Sequence, residues 1–324
     1  MKLCTLLTLG LSTIALAAPT SITEGNRGTL AKRASVTDTP STGFATQNGG
    51  TTGGKGGNTT IVSTYAQFTA AVSDDIPHIV IVSGALSGTG TVKVGANKSI
   101  IGQSSAAKLA GFGLTVKRKN NVIIRNLSIS KVVGGDAIAV QYASNVWIDH
   151  CDLSSDRDHD KDYYDGLLDL THAADFITVS NTFFHDHWKC SLVGHSDNNG
   201  DEDTAHLRVT YHNNYWKNIN SRGPSIRFGT GHIFNNYYEN VPDAINTRDG
   251  AQVLVQNNAF VGSKKPLYST DAGYAVASGN DFGGAGNTAL AGKLSSVEYG
   301  VPNLLAASEV KAKVVGTAGA TLSF

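Results

Sequence analysis

NNVIIRNLSI at Asn120–Ile129, SNVWIDHCDL at Ser144–Leu153 and DFITVSNTFF at Asp175–Phe184 state one pattern three times. It returns as RVTYHNNYW at Arg208–Trp216, GHIFNNYYE at Gly231–Glu239 and QVLVQNNAF at Gln252–Phe260. The polar residue closing each β-rich run is Asn126, His150, Asn181, Asn213, Asn235 or Asn257. The last intervals are 22 residues, and those spanning 150–213 are 31 and 32. Self-similarity at such a period marks a solenoid, because a unit this short cannot enclose a core and must stack on its neighbours. Val, Ile, Tyr and Phe recur on β spacing, and Asn stands where the chain turns. The predicted fold is all-β, a parallel β-helix. The asparagines are expected to face inward at one corner as a ladder of amides, since Asn tolerates left-handed backbone and satisfies polar groups locally. A β-sandwich would show turns every 8–12 residues, and the period is too long for that.

Outside the repeats, Gly43–Gly57 is glycine-rich and irregular. Ser63–Val72 is predicted to be a short helix, with a capping box from Thr64 and Gln67 and an apolar face of Tyr65, Phe68 and Val72. It would close the open end of the solenoid. After the repeats, Pro302 opens a second helix-like stretch, Asn303–Val315, expected to pack along the outside.

Lys2 and the apolar run Leu3–Ala18 read as a secretory signal, residues 1–17, too short to span a membrane. Residues 18–33 end in Lys32-Arg33 and read as a pro-peptide, leaving 34–324 as one domain. A secreted monomer with no membrane partner is expected. The 324-residue chain has zero formal charge, but residues 34–324 hold 22 basic against 25 acidic side chains. That balance excludes nucleic acid as a partner, since phosphate binding needs a basic stripe. Asn58 and Asn97 are the expected glycosylation sites; Asn126 also fits the acceptor pattern but sits on the ladder. Cys4 falls in the signal, and Cys151 and Cys190 are expected as buried free thiols.

Chemistry is expected where the repeat is disturbed. The long intervals carry Asp152–Gly166 and Asp197–Thr204. An EF-hand fails, because Lys161 stands at the turn position and Leu167 at the closing one. Asp156, Asp158, Asp160 and Asp162 read as a solvated acidic loop. Asp165 and Asp169 lie four apart in a β-like run, so both can face one side. Asp149 and His150, as strand neighbours, are expected to point apart.

NVWIDH (Asn145–His150), the acidic pair in YYDGLLDL (Asp165, Asp169), RGPSIRFG (Arg222–Gly229) and the opening Gly43–Gly57 together resemble the pectate lyase family of extracellular polysaccharide lyases. The resemblance covers the chain after the leader. It implies a right-handed parallel β-helix that cleaves de-esterified homogalacturonan (pectate) by β-elimination with calcium. Carried over residue by residue, it implies Asp136, Asp165 and Asp169 as calcium ligands and Arg222 as the base. Lys189 in HWKCSLVG would bind a substrate carboxylate, with Arg227 supporting. Some relatives carry one more aspartate where this chain has Gly134. Two other readings of the fold are a pectin lyase or polygalacturonase-like hydrolase, and a non-catalytic, calcium-stabilised sugar-binding β-helix. A hydrolase would need paired carboxylates, and Asp74-Asp75 is the adjacent pair.

Overall fold

A computed structural model describes Met1, residues 34–302 and residues 304–324. The expected signal, the pro-peptide and Cys4 lie outside the described residues. Ala34–Phe324 is one unit, a right-handed parallel β-helix, in the hand that parallel crossovers almost always take. Among the described residues an eleven-stranded parallel sheet runs from Asn58–Val62 to Leu290–Ala291, faced by a larger second sheet. Each coil contributes to both sheets, so strands adjacent in a sheet lie one coil apart in sequence.

Register converts the sequence period into a core. Ile124, Ile148, Val179, Tyr211, Ile233 and Val255 are successive partners up the first sheet, and all six are fully buried. Burying each such side chain contributes about 1.5–3 kcal/mol. In the second sheet Phe184, Trp216, Tyr238 and Phe260 stack at centroid distances of 4.2, 5.6 and 4.3 Å. Cys151 and Cys190 are buried free thiols.

The corner is left-handed as predicted: Asn126, His150, Asn181, Asn213, Asn235 and Asn257 have φ between 48 and 58°. The amide ladder, however, is one residue further on. Asn214, Asn236 and Asn258 each donate from Nδ2 to the Oδ1 of the next asparagine at 2.9 Å, ending on Asn280. A residue with positive φ breaks the strand's alternation, so it turns outward and its successor points in. The outward residues meet the C-terminal tail instead: Leu305 bonds Asn235 and Asn257, and Leu322 bonds Asn126. The same left-handed turn at His150 overturns the expected separation from Asp149. His150 Nδ1 lies 2.7 Å from Asp149 Oδ2, where Arg125, Ser180 and Asn181 also donate to the buried carboxylate.

The first helix is Tyr65–Val72, with Thr64 accepting from Gln67 N–H and Phe68 and Val72 fully buried. Phe68 and Tyr65 pack on Phe112, closing the core's end. The C-terminal helix, Ala307–Val314, starts later than predicted, and Leu305 before it is engaged by hydrogen bonds to the asparagine row. Its buried Val310 and Val314 cover Tyr215 and Tyr237. The glycine-rich segment runs along the first sheet, donating from Phe44, Ala45 and Gly54 to Thr210, Thr178 and Ser99. A Cβ on Gly54 would lie 2.0 Å from the His78 carbonyl oxygen, so only glycine permits that approach.

Asn58 is exposed at the start of the first strand of its sheet. Asn97 is half-buried and engaged: its Oδ1 accepts from Asn121 and its Nδ2 donates to the Asp75 carbonyl.

Candidate active site

The disturbed coils bring the charged residues to one side of the second sheet. Asp136 precedes the strand Ile138–Gln141, and Asp169 lies within its neighbour Gly166–Thr171. There Asp169 pairs with Ala139 in register. Lys189 is on the next strand, Phe183–Val193, with Gly166 as its partner. Arg222 follows the strand Tyr215–Ser221 and is held by its carbonyl, which accepts from Ser191 N–H at 2.9 Å. Its φ of 62° turns the side chain out of the strand's alternation.

Two carboxylates converge. A Cβ placed on Gly166 would lie 2.5 Å from Asp169 Oδ1 and 2.8 Å from Asp136 Oδ1, and Asp136 Oδ1 also accepts from Gly166 N–H at 2.8 Å. Burial pushes the Asp136 carboxyl up to about 6, with repulsion from Asp165 adding to it and the Gly166 N–H opposing it. Burial also raises Asp169 well above the carboxylate range, and Asp136 raises it further. Two half-buried carboxyls that resist a shared negative charge are the electrostatic complement of a cation. Asp165 is placed apart from them: its carboxylate turns to Lys189 Nζ at 3.2 Å. Among the described residues no group of three or more His, Cys, Asp or Glu side chains is gathered around one point. The donor set fits a hard cation through Asp136 and Asp169, and Asp165 would have to leave Lys189 to join them.

The cations divide by what holds them. Lys189 pairs with Asp162 at 2.7 Å as well as with Asp165. Burial works against its charge, and the two carboxylates outweigh burial and hold its pKa above the usual value. Arg227 is buried, with Nε 2.6 Å from Asp197 and 3.3 Å from Asp249, and it donates to the Gly194 carbonyl. Arg222 differs from both. It is half-buried, and among the described residues its guanidinium has no hydrogen-bond or ion-pair partner. An unpaired cation beside two half-buried carboxyls, open to a cleft, is placed to act on something that enters.

That cleft has a volume of about 490 Å³ and is lined by Asp160, Lys161, Trp188, Lys189, Asn220, Ser221 and Arg222. Arg227, Asp136 and Asp169 are absent from its lining. The acidic loop is solvated as expected at Asp158, Asp160 and Asp162, which are exposed, while half-buried Asp156 anchors a braced wall. Asp156 is bonded by His159, Tyr164 and Lys131, His159 stacks on Tyr163 at 4.0 Å, and Trp188 donates to the His159 carbonyl. Sequence reasoning missed Trp188 and this wall; the insertion into the repeat was the available signal. Asp74 and Asp75, by contrast, are paired with Lys98 and Lys119 near the N-terminal end. They offer no acid–base pair to the cleft.

Residues 12–269 match the family model described as pectate lyase. The chain is 64% identical to a probable pectate lyase A of Neosartorya fischeri, covering 99% of this chain and 98% of that protein. It is 63% identical to pectate lyase A of Aspergillus niger, covering 95% and 94%. Among solved structures, the pectate lyase of Bacillus sp. N165 in complex with trigalacturonate superposes with a TM-score of 0.77 at 34% identity, covering 86% of this chain and 98% of that one.

Proposed function

The chain belongs to the pectate lyase family and is a polysaccharide lyase, and from that premise we propose that it cleaves de-esterified homogalacturonan by calcium-dependent β-elimination. The observation that carries this reading is the unpaired Arg222 in the same cleft as Lys189, next to the convergent Asp136 and Asp169.

The proton alpha to a uronate carboxylate is weakly acidic while that carboxylate keeps its full charge. Asp136 and Asp169, joined by Asp165, would hold a calcium ion, whose charge when bound would offset the uronate's and favour the negative charge that develops as the proton leaves. Lys189 exchanges Asp162 or Asp165 for a substrate carboxylate, adding a fixed cation at the sugar. Arg227, held by Asp197 and Asp249, supports the cleft's positive side rather than reaching into it. Arg222 takes the C5 proton. The C5–H electrons form the C4–C5 double bond, and the C4–O bond breaks with the leaving oxygen taking a proton from water. A guanidinium holds its proton to very high pH, so a base of this type works best in alkaline solution. The products are 4,5-unsaturated oligogalacturonides.

We place the protein outside the cell as a monomer, with residues 1–17 as its signal, 18–33 as a pro-peptide and Asn58 as the more accessible glycosylation site. Among the described residues no helix is long and apolar enough to cross a membrane. The deciding experiment is incubation with polygalacturonate with and without a chelator, following the ultraviolet absorbance of unsaturated ends. New reducing ends without that absorbance would overturn elimination, and full activity in excess chelator would overturn the role of calcium.

A further inference from the structure

The acidic wall leaves the solenoid after the strand Asp152–Ser154 and rejoins it at Gly166. Its two ends meet on one side chain. His187 is 1% exposed, with Nδ1 2.6 Å from Ser155 Oγ and Nε2 2.8 Å from the Asp165 carbonyl oxygen. A carbonyl only accepts, so Nε2 carries the hydrogen and Nδ1 accepts from the Ser155 hydroxyl. That hydroxyl has longer alternatives, the carbonyls of Asp156 and Asp186 at 3.1 and 3.2 Å. Both ring nitrogens are thus spent on the neck of the loop, and the elimination chemistry uses neither.

We propose that His187 is a positioning residue that clasps the neck of the 155–165 loop and thereby sets how Asp165 can reach Asp136 and Asp169. The inference rests on the calcium reading of those three carboxylates. The loop's outer part is braced within itself by Asp156, His159, Tyr163 and Tyr164 and tied to neighbouring coils through Lys131, Gly134 and Trp188, which leaves its return to the sheet at Asp165 to the His187 contact. The Asp165 carbonyl is only a few bonds from its own carboxylate, so anchoring the one fixes where the other can reach. The same anchor sets how far Asp162 and Asp165 stand from Lys189. A partner that orients a ligand in this way typically contributes about 10–100-fold in metal affinity.

The test compares wild type, His187→Ala and Ser155→Ala as purified full-length proteins. Calcium binding is measured by calorimetry without substrate, and loop opening by the rate of tryptic cleavage at the exposed Arg157 and Lys161 in chelator. His187→Ala is expected to weaken calcium binding by at least about tenfold, and Ser155→Ala by a smaller factor. Cleavage of the loop should accelerate in the same order. At saturating calcium and substrate, kcat should stay within about threefold of wild type, because the ring touches no reacting atom. A folded His187→Ala with wild-type calcium affinity and loop cleavage would overturn the proposal. So would a kcat lost at saturating calcium with affinity unchanged. If His187→Ala does not fold, Ser155→Ala decides by the same criteria. A wild-type protein that binds no calcium would overturn the calcium reading itself, and the cleavage rates would still decide the clasp.

Discussion

Asp136 and Asp169 face each other across Gly166: their Oδ1 atoms both point to the space where that residue's Cβ would stand, 2.8 and 2.5 Å away. The pair comes from neighbouring coils, and only a residue without a side chain leaves room between them.

This arrangement predicts a metal requirement with a steric lock. Chelation should abolish activity, and added calcium should restore it. Asp169→Asn should raise the calcium concentration for half-maximal activity without unfolding the chain. Gly166→Ala should remove calorimetric calcium binding while leaving the far-ultraviolet spectrum of the solenoid unchanged. Calcium binding by Gly166→Ala at wild-type strength would place the ion elsewhere.

Arg222→Lys keeps a cation but loses the planar fork and its donors. Turnover should fall by about two orders of magnitude or more, the usual contribution of a positioned base, with little change in KM. Wild-type rates should climb toward alkaline pH. Initial rates from unsaturated-product absorbance measure both, and retained turnover would hand the base role to another group.

Substrate charge should matter through Lys189. A methyl ester brings no negative charge to a lysine that has given up Asp162 and Asp165, so its desolvation on binding is not offset. Rates on homogalacturonans of graded esterification, at saturating calcium, should decline as methylation rises. A maximum on the highly methylated polymer would favour the pectin lyase branch.

Acid should weaken the fold through two buried histidines. Burial lowers His212 and His232 to about 4. Both are neutral when folded, while the unfolded chain binds protons from about pH 6.5 downward. Their contribution is therefore complete above pH 6.5 and is lost as pH falls from there to about 4. Each ring adds a slope of about 1.4 kcal/mol per pH unit. Urea midpoints between pH 7 and 4 measure it, and His232→Gln should flatten the curve.

The amide ladder should be costly to break and its outward neighbour cheap. Asn236 accepts from Asn214 and donates to Asn258 with no exposed surface, so Asn236→Ala strands polar groups in both adjacent coils and should cost about 3 kcal/mol or more. Asn235→Gly keeps the left-handed φ of 55°, loses one contact to the tail and should cost about 1 kcal/mol. Thermal or urea unfolding separates the two, and equal losses would contradict the offset ladder.

The solenoid was legible because its cause is local and repeated. Each coil carries the same β spacing and the same left-handed corner, and a backbone turn at Asn213 has the same preference at Asn235 and Asn257. The long intervals also marked where the charged loops would emerge. The one-residue offset of the ladder was not legible: Asn213-Asn214 reads as a doubled letter, and only the turn's geometry says which amide points in.

The sequence by itself determined the coil, its period, the corner chemistry and the charged residues available for a site. Tertiary structure alone decided how those residues differ. Arg222 and Arg227 are both arginines five positions apart, yet one is unpaired at the cleft and the other is bound by Asp197 and Asp249. Asp165 and Asp169 are both aspartates, yet one is turned to Lys189 and the other converges with Asp136 on Gly166. The reason is that a side chain's charge is a property of its residue, while its partners come from coils about 20 to 50 residues away. Which coil lies above which, and in what register, exists only once the chain has wound.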